Sequence, residues 1–233
     1  MTIKCVGVLI AIMVVITVCV AQQRGPIADP EAERILDNAA HAEGRGDVLS
    51  NLQTLRVRGS IYFGFAHRMS DFESIIAFPQ KFRDRFTTGG HTLTYGYDGT
   101  EAWVQSVPGE SLGGLPTVQL LLPAVQWRLR YTTAQFLGQQ RIGKREAYVV
   151  RASVRGQTQA VNYYYDPGSY LLLRVDDVVS EPRSASLTYL VSDYKDVNGL
   201  KIPREWDFGM NRAEVESIKL NVPIADKQFA KSK

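Results

Sequence analysis

Beyond residue 19 this chain of 233 residues has no cysteine; Cys5 and Cys19 are its only two. With no thiol further on there is no disulfide framework and no C-x-x-C site. The fold must therefore be held by its core, even in an oxidising compartment. Histidine is scarce too. His41, His67 and His91 are spread over three separate segments, with no H-x-H or H-E-x-x-H spacing. That excludes a structural zinc site, and no metal or other cofactor is expected. An excess of charge of one sign is also missing: 27 Lys+Arg stand against 24 Asp+Glu. Such balance excludes a nucleic-acid partner. No internal repeat, low-complexity tract or linker interrupts the chain, so it reads as one domain with one sizeable core.

A long hydrophobic run occurs once, at the N-terminus. "VGVLIAIMVVITVCVA", Val6 to Ala21, carries no charge and follows Lys4. Ala21, with Cys19 two positions before it, suits a signal-peptidase site. The run falls short of the roughly 20 apolar residues that span a bilayer, which disfavours the alternative of an uncleaved anchor. Val18 before Cys19 disfavours a lipoprotein. Residues 1–21 are therefore read as a cleavable signal peptide and residues 22–233 as a single exported domain, periplasmic and not membrane-spanning after cleavage.

Past the leader the chain is first helical. Asp29 is placed as an N-cap, Pro30 opens the helix, and Glu31 and Glu33 favour its positive end. Ala32, Ile35, Leu36, Ala39 and Ala40 form one apolar stripe. Gly44 and Gly46 stop it, and "DVLSNL" adds a further turn. From Leu55 the period becomes two. Leu55, Val57, Ile61, Phe63 and Phe65 share one face, as do Phe72, Ile76 and Phe78 on the next run. Turn signals at Asp98-Gly99, Asp166-Pro167-Gly168 and Asn198-Gly199 separate further alternating runs. From Gly113 to about Leu137 a leucine-rich stretch with Pro116 and Pro123 reads as two short helices or one broken helix. The expected fold class is mostly β: about ten antiparallel strands in a strongly curved, incomplete barrel. An N-terminal helix and a short helical lid complete it. So few helices on so large a twisted sheet leave either a packed half-barrel or an apolar cavity.

The motifs that could carry chemistry are weak. "GESLG", Gly109–Gly113, fits the G-x-S-x-G pattern. All three histidines precede Ser111, however, and the flanking strands are hairpin-connected, whereas a nucleophile elbow needs parallel strands. Asp176 and Asp177 are adjacent on one strand and so point to opposite faces. "RGD" at Arg45–Asp47 doubles as a helix stop and a new cap. Arg56, Arg58, Lys81, Arg83 and Arg85 interleave with aromatics, a spacing that strand alternation explains. No base–nucleophile pair remains, and the chain is not expected to be an enzyme.

The order "LQTLRVRGSI", "AFPQKFRDRF", "YDGTEAW", a leucine-rich helical insert, "YYYDPGSYLLLRV", "SDYKDVNGLKIPREW" and "IKLNVPIADKQF" resembles the periplasmic lipoprotein-carrier superfamily. These are LolA/LolB-like proteins, also described as outer-membrane lipoprotein-sorting proteins. The likeness covers nearly all of residues 22–233. It implies a curved half-barrel with helices as a lid, whose cavity holds acyl chains of lipoproteins or other lipids, and partners that include an envelope membrane protein. In the carrier an arginine before the turn proline helps hold the lid; here Phe78 precedes Pro79, so lid opening should differ. The function expected is non-covalent carriage of a lipid or acyl chain. An envelope sensor or scaffold of the same fold, with a filled core, is the alternative. Candidate lining residues are Phe63, Phe65, Phe72, Ile76, Phe78, Trp103, Leu121 and Trp127.

Overall fold

The computed structural model describes residues 27–105, 117–157, 160–178 and 187–231. The proposed leader, GESLG and Leu115 lie outside them. The first helix, α1 (Pro30–Glu43), begins as its sequence dictates: the Asp29 side chain accepts from the Ala32 amide at 2.7 Å. Gly44 ends it, and Arg45 caps the short α2 (Gly46–Ser50). Ala32, Ile35, Leu36 and Ala39 are wholly buried.

The rest is strand, apart from two short helices and a final turn. After β1 (Ile27–Ala28) and the helices come β2 (Thr54–Phe63), β3 (Arg68–Ala77), β4 (Lys81–Thr88), β5 (His91–Tyr97) and β6 (Ala102–Gln105). Then α3 (Thr117–Leu121) and α4 (Trp127–Arg130) lead into β7 (Tyr131–Ile142) and β8 (Arg145–Val154). The chain continues through β9 (Ala160–Tyr165), β10 (Leu172–Val178), β11 (Thr188–Val197), β12 (Leu200–Phe208) and β13 (Asn211–Leu220). Asn198 and Gly199 both have positive φ, at 53° and 86°, as the tight β11–β12 hairpin requires.

The thirteen strands among the described residues form one sheet, ordered β1-β7-β8-β9-β10-β11-β12-β13-β2-β3-β4-β5-β6. It is curved and does not close into a barrel. Two meanders, β7–β13 and β2–β6, are joined in the middle by the β13–β2 ladder. Every named strand pair is antiparallel except β1 with β7.

One expectation is corrected: Tyr131–Leu137 is not helical but the first part of β7, which helps bring the strands among the described residues to thirteen. Tyr131, Thr132, Thr133 and Phe136 are aromatic or β-branched residues that suit a strand. They pair with β8 on one side and β1 on the other.

Register separates the two faces. Leu55, Ile76, Phe82 and Tyr97 form one row on the inner face, and Gly59, Phe72, Phe86 and Leu93 another. α1, α3 and α4 pack against that inner face as part of the same buried cluster. The outer face carries Arg56, Ile75, Arg83, Gly96 and Trp103 in one row and Arg58, Glu73, Arg85, Thr94 and Gln105 in the next. At one end of that face the C-terminal segment returns. Phe229 is buried there, and its carbonyl accepts from Trp103 Nε1 at 2.8 Å.

Candidate functional site: a strap across the concave face

Residues 117–130 cross the inner face as a strap. Leu120, Leu121, Leu122, Ala124, Val125 and Trp127 are each almost wholly buried. The strap makes no strand pairing with the sheet along this length, so side chains and caps must satisfy its backbone. Three carboxylates anchor it, two through backbone amides and one through side chains. Asp84 Oδ2, on the inner face of β4, accepts from the Thr117 amide at 2.8 Å. Glu43, at the last residue of α1, accepts from the Ala124 amide at 3.3 Å. Asp37, two turns earlier on α1, accepts from Trp127 Nε1 at 2.9 Å and takes both terminal nitrogens of Arg128, at 2.5 and 2.9 Å.

The carbonyls are gathered from the other end. Arg130 is 3% exposed, and its Nη1 donates to the carbonyls of Leu122 at 2.6 Å, Pro123 at 3.2 Å and Val125 at 3.4 Å. Tyr131 Oη adds a second bond to Pro123, at 2.6 Å. Nη1 has two hydrogens for these three carbonyls, which therefore share them, Leu122 at the shortest distance. Here Arg130, on the strap itself, bonds the strap carbonyls, and Phe78 only packs at the edge of the core.

Burial decides the electrostatics. Desolvation pushes Glu43 up to about 8 against the Ala124 and Val125 amides and the Arg130 charge, which pull it down. Asp84 rises to about 6 for the same leading reason, opposed by hydrogen bonds from the Ser74 hydroxyl and Thr117. Asp37 moves the other way, because its hydrogen bonds from Arg128 outweigh a smaller desolvation. Glu43 Oε2, Arg130 Nη2 and Tyr165 Oη are buried without a protein partner. Glu43 and Arg130 both bear on Tyr163 and Tyr165 electrostatically. A polar knot therefore sits inside an otherwise apolar wall.

The candidate lining residues divide three ways. Phe72, Ile76, Leu121 and Trp127 belong to one buried cluster, with Phe72 edge-on to Trp206 at 5.6 Å between ring centroids. Phe63 and Phe78 are partly buried at its margin. Phe65 and Trp103 are not with them. β2 ends at Phe63 and the chain turns at Gly64 against Met210, so Phe65 leaves the alternating face and is 86% exposed. Trp103 pairs with Gly96 in the Arg83 row and so points to the outer face. A partly open cleft of about 20 Å³, room for about one water, lies beside Ile76, Phe82, Val118 and Arg130 and is lined on its other side by Gln80, Lys81, Arg155 and Gln157. Among the described residues no group of His, Cys, Asp and Glu could hold a metal ion.

Sequence reasoning missed Asp37, Glu43, Asp84 and Arg130. Two left a signal. Glu43 continues the apolar stripe of α1 four residues after Ala39, and Asp84 stands between Phe82 and Phe86 on the inward alternation. A charge in the apolar phase of an element requires a buried partner.

The architecture has known counterparts. It is similar to a LolA superfamily protein, NE2245 from Nitrosomonas europaea, with a TM-score of 0.56 over 86% of this chain and 97% of that one, at 13% identity. The chain shares the fold of that LolA superfamily protein. A DUF1329 family protein from Desulfovibrio piger ATCC 29098 shares it, with a TM-score of 0.52 over 85% of this chain and 97% of its own, at 11% identity. So does a domain from Vibrio parahaemolyticus described as an outer membrane lipoprotein-sorting protein, with a TM-score of 0.50 over the same two shares, at 10% identity. No family model and no curated protein matches the chain by sequence. At these identities the LolA fold is shared while the side chains that fill it differ. Among the described residues no helix is long and apolar enough to cross a membrane.

Proposed function

We propose that the protein carries a lipid or lipoprotein acyl chain in the periplasm, on the inner face of the LolA fold, in the place the strap occupies here. The observation that supports it is the composition of the strap. Val118, Leu120, Leu121, Leu122 and Val125 belong to the same buried apolar cluster as Phe72, Ile76 and Phe82, the setting an acyl chain would need. Yet side-chain hydrogen bonds and ion pairs on α1, β4 and β7 attach it to the sheet, with no ladder. Such contacts open locally at lower cost than a strand leaves a sheet. Burial of the incoming chain, worth about 25 cal/mol per Å² of apolar surface, replaces the burial the strap gives up. The lining in this reading is Phe63, Phe72, Ile76 and Phe78, with Leu121 and Trp127 as the displaced cover. The chain acts by binding, with no enzymatic step and no cofactor, and it meets a membrane protein of the envelope when loaded or unloaded.

A second reading is favoured by the packing. Leu120, Leu121, Leu122, Ala124, Val125 and Trp127 of the strap are almost wholly buried, as the core of a permanently filled sensor or scaffold would be. Uptake of a fluorescent fatty acid separates the two. In the carrier reading the protein takes up the dye, and Asp37→Ala, which frees the Trp127–Arg128 end of the strap, increases uptake. Phe63→Asp with Phe78→Asp abolishes it. A protein that excludes the dye with the strap intact and with it loosened is a scaffold.

A further inference from the structure

The arginines of β4 belong to neither the strap nor the inner wall. Arg83 and Arg85 project from the outer face, with Thr94 of β5 opposite Arg85 and Gly96 opposite Arg83. Gln105 and Trp103 of β6 continue these two rows. With Thr92 they line a concavity of about 240 Å³. Gly96 presents no side chain, and a Cβ there would fall 2.8 Å from the Trp103 ring. The indole thus lies on the strand backbone as a floor, fixed by its bond to the Phe229 carbonyl.

The charge in this concavity is one-sided. Two guanidiniums line it and, among the described residues, no carboxylate does. Glu73, on the β3 side, takes Arg58 at 2.7 Å and Arg83 at 3.5 Å. Arg85 forms no ion pair among the described residues. Arg83 is held by the Gln228 carbonyl at 3.2 Å, while its Nε is buried without a hydrogen-bond partner. Burial lowers its pKa; Glu73 opposes this, and the Arg85 and Arg56 charges add to it. An anion in the concavity relieves that repulsion.

We propose that this outer concavity binds a phosphate-bearing group, with Arg83 and Arg85 donating to its oxygens on one side and Thr92, Thr94 and Gln105 on the other. Donors converge on the space from three strands, which suits a tetrahedral dianion better than a planar carboxylate. The space exceeds one phosphate. A second trough of about 460 Å³ begins at Arg85 and is lined by Arg58, Thr87, Asp71, Glu73 and Glu216. Its acids accept from hydroxyl or amino groups on the phosphate's substituent. Free phosphate and a phospholipid headgroup share this chemistry.

The test uses the full exported chain at physiological salt, in chloride buffer. Inorganic phosphate is titrated while the amide signals of Thr92, Thr94 and Gln105 are followed by NMR. Flotation with phosphatidylglycerol vesicles is compared with flotation on phosphatidylcholine. Arg85→Gln should weaken phosphate binding about tenfold, the loss of one charge-assisted hydrogen-bonding group. Arg141→Gln, an exposed β7 substitution of equal charge change, should leave it unaltered. Phosphate binding without flotation assigns a soluble anion, and flotation on phosphatidylglycerol that Arg85→Gln abolishes assigns the headgroup. Failure of both probes to bind, or equal weakening by the two variants, overturns the proposal.

Discussion

Glu43 is the residue on which the closed form turns, because it is the one carboxyl enclosed on every side that also holds the middle of the strap. Its pKa is raised from an ordinary 4.5 to about 8, mainly by burial. The folded protein therefore binds this proton more tightly than the unfolded chain. Stability from Glu43 is fully present below about 4.5 and is lost as pH rises through about 8. Asp84 behaves likewise between about 3.8 and about 6. Asp37, held low by Arg128, instead loses its contribution as pH falls below its ordinary range. Glu43→Gln keeps an oxygen for the Ala124 amide and removes the charge. Thermal unfolding of this variant should lose the part of the parent's slope that runs up to about 8, keeping only the Asp84 contribution below about 6, and near pH 8 it should be more stable than the parent by on the order of a few kcal/mol. A variant whose Tm tracks the parent's at every pH would mean that Glu43 carries its charge in water, not in the core. Asp84→Asn should reduce the slope between about 3.8 and about 6 in the same measurement and leave the Glu43 part above it.

At the scale of elements, the strap and the central ladder place opposite demands on sequence. The ladder tolerates little. Gly59 lies in β2 where a Cβ would sit 2.0 Å from the Glu214 carbonyl and 2.6 Å from the Phe72 ring. Gly59→Ala should cost about 1–3 kcal/mol, read as a lower denaturation midpoint with an unchanged slope, because backbone and a packed ring must both move. The strap should be the more yielding element. Arg130→Ala leaves the carbonyls of Leu122 and Val125 without the partner they have now. Limited proteolysis should then cut within residues 117–130 well before the sheet unfolds, whereas cleavage at the parent rate would show the strap to be part of the rigid core.

This contrast also governs what could be read beforehand. Strand alternation, the Asp29 cap and the Asn198-Gly199 turn are local in origin, and the structure has them where the sequence places them. Local alternation also brought Phe72 and Ile76 to one wall, but it could not see that β2 ends before Phe65. Nor could it see that Trp103 keeps register with Arg83 rather than Phe82, since register depends on which residue of the partner strand stands opposite. The three carboxylate anchors join residues far apart in the chain, and nothing local pairs Glu43 with Ala124.

For the whole molecule the question is whether two meanders joined by one ladder behave as one body. Two connections besides the β13–β2 ladder span them, and α1 braces the first. The strap is anchored to β4 through Asp84 and runs directly into β7. α1 packs on β7, β8 and β12 while its Glu43 and Asp37 hold the strap. The C-terminal segment leaves β13 and docks on β6 and β4 through Phe229, Gln228 and the Lys81–Asp226 pair at 3.0 Å. Removing either meander would uncover the apolar face of the other, so their unfolding should be a single cooperative step. The three tryptophans report on the three parts: Trp103 on the β2–β6 meander, Trp127 on the strap and Trp206 on the β7–β13 meander. In three single-tryptophan variants, Trp103 and Trp206 should show coincident denaturant midpoints that also match the far-ultraviolet circular dichroism. Trp127 should share that midpoint while the strap is closed and should respond first when a fatty acid is added, because the strap leaves before the sheet does. Separate midpoints for Trp103 and Trp206 would mean that the meanders fold independently, and the strap would then be a linker between two units instead of a cover on one.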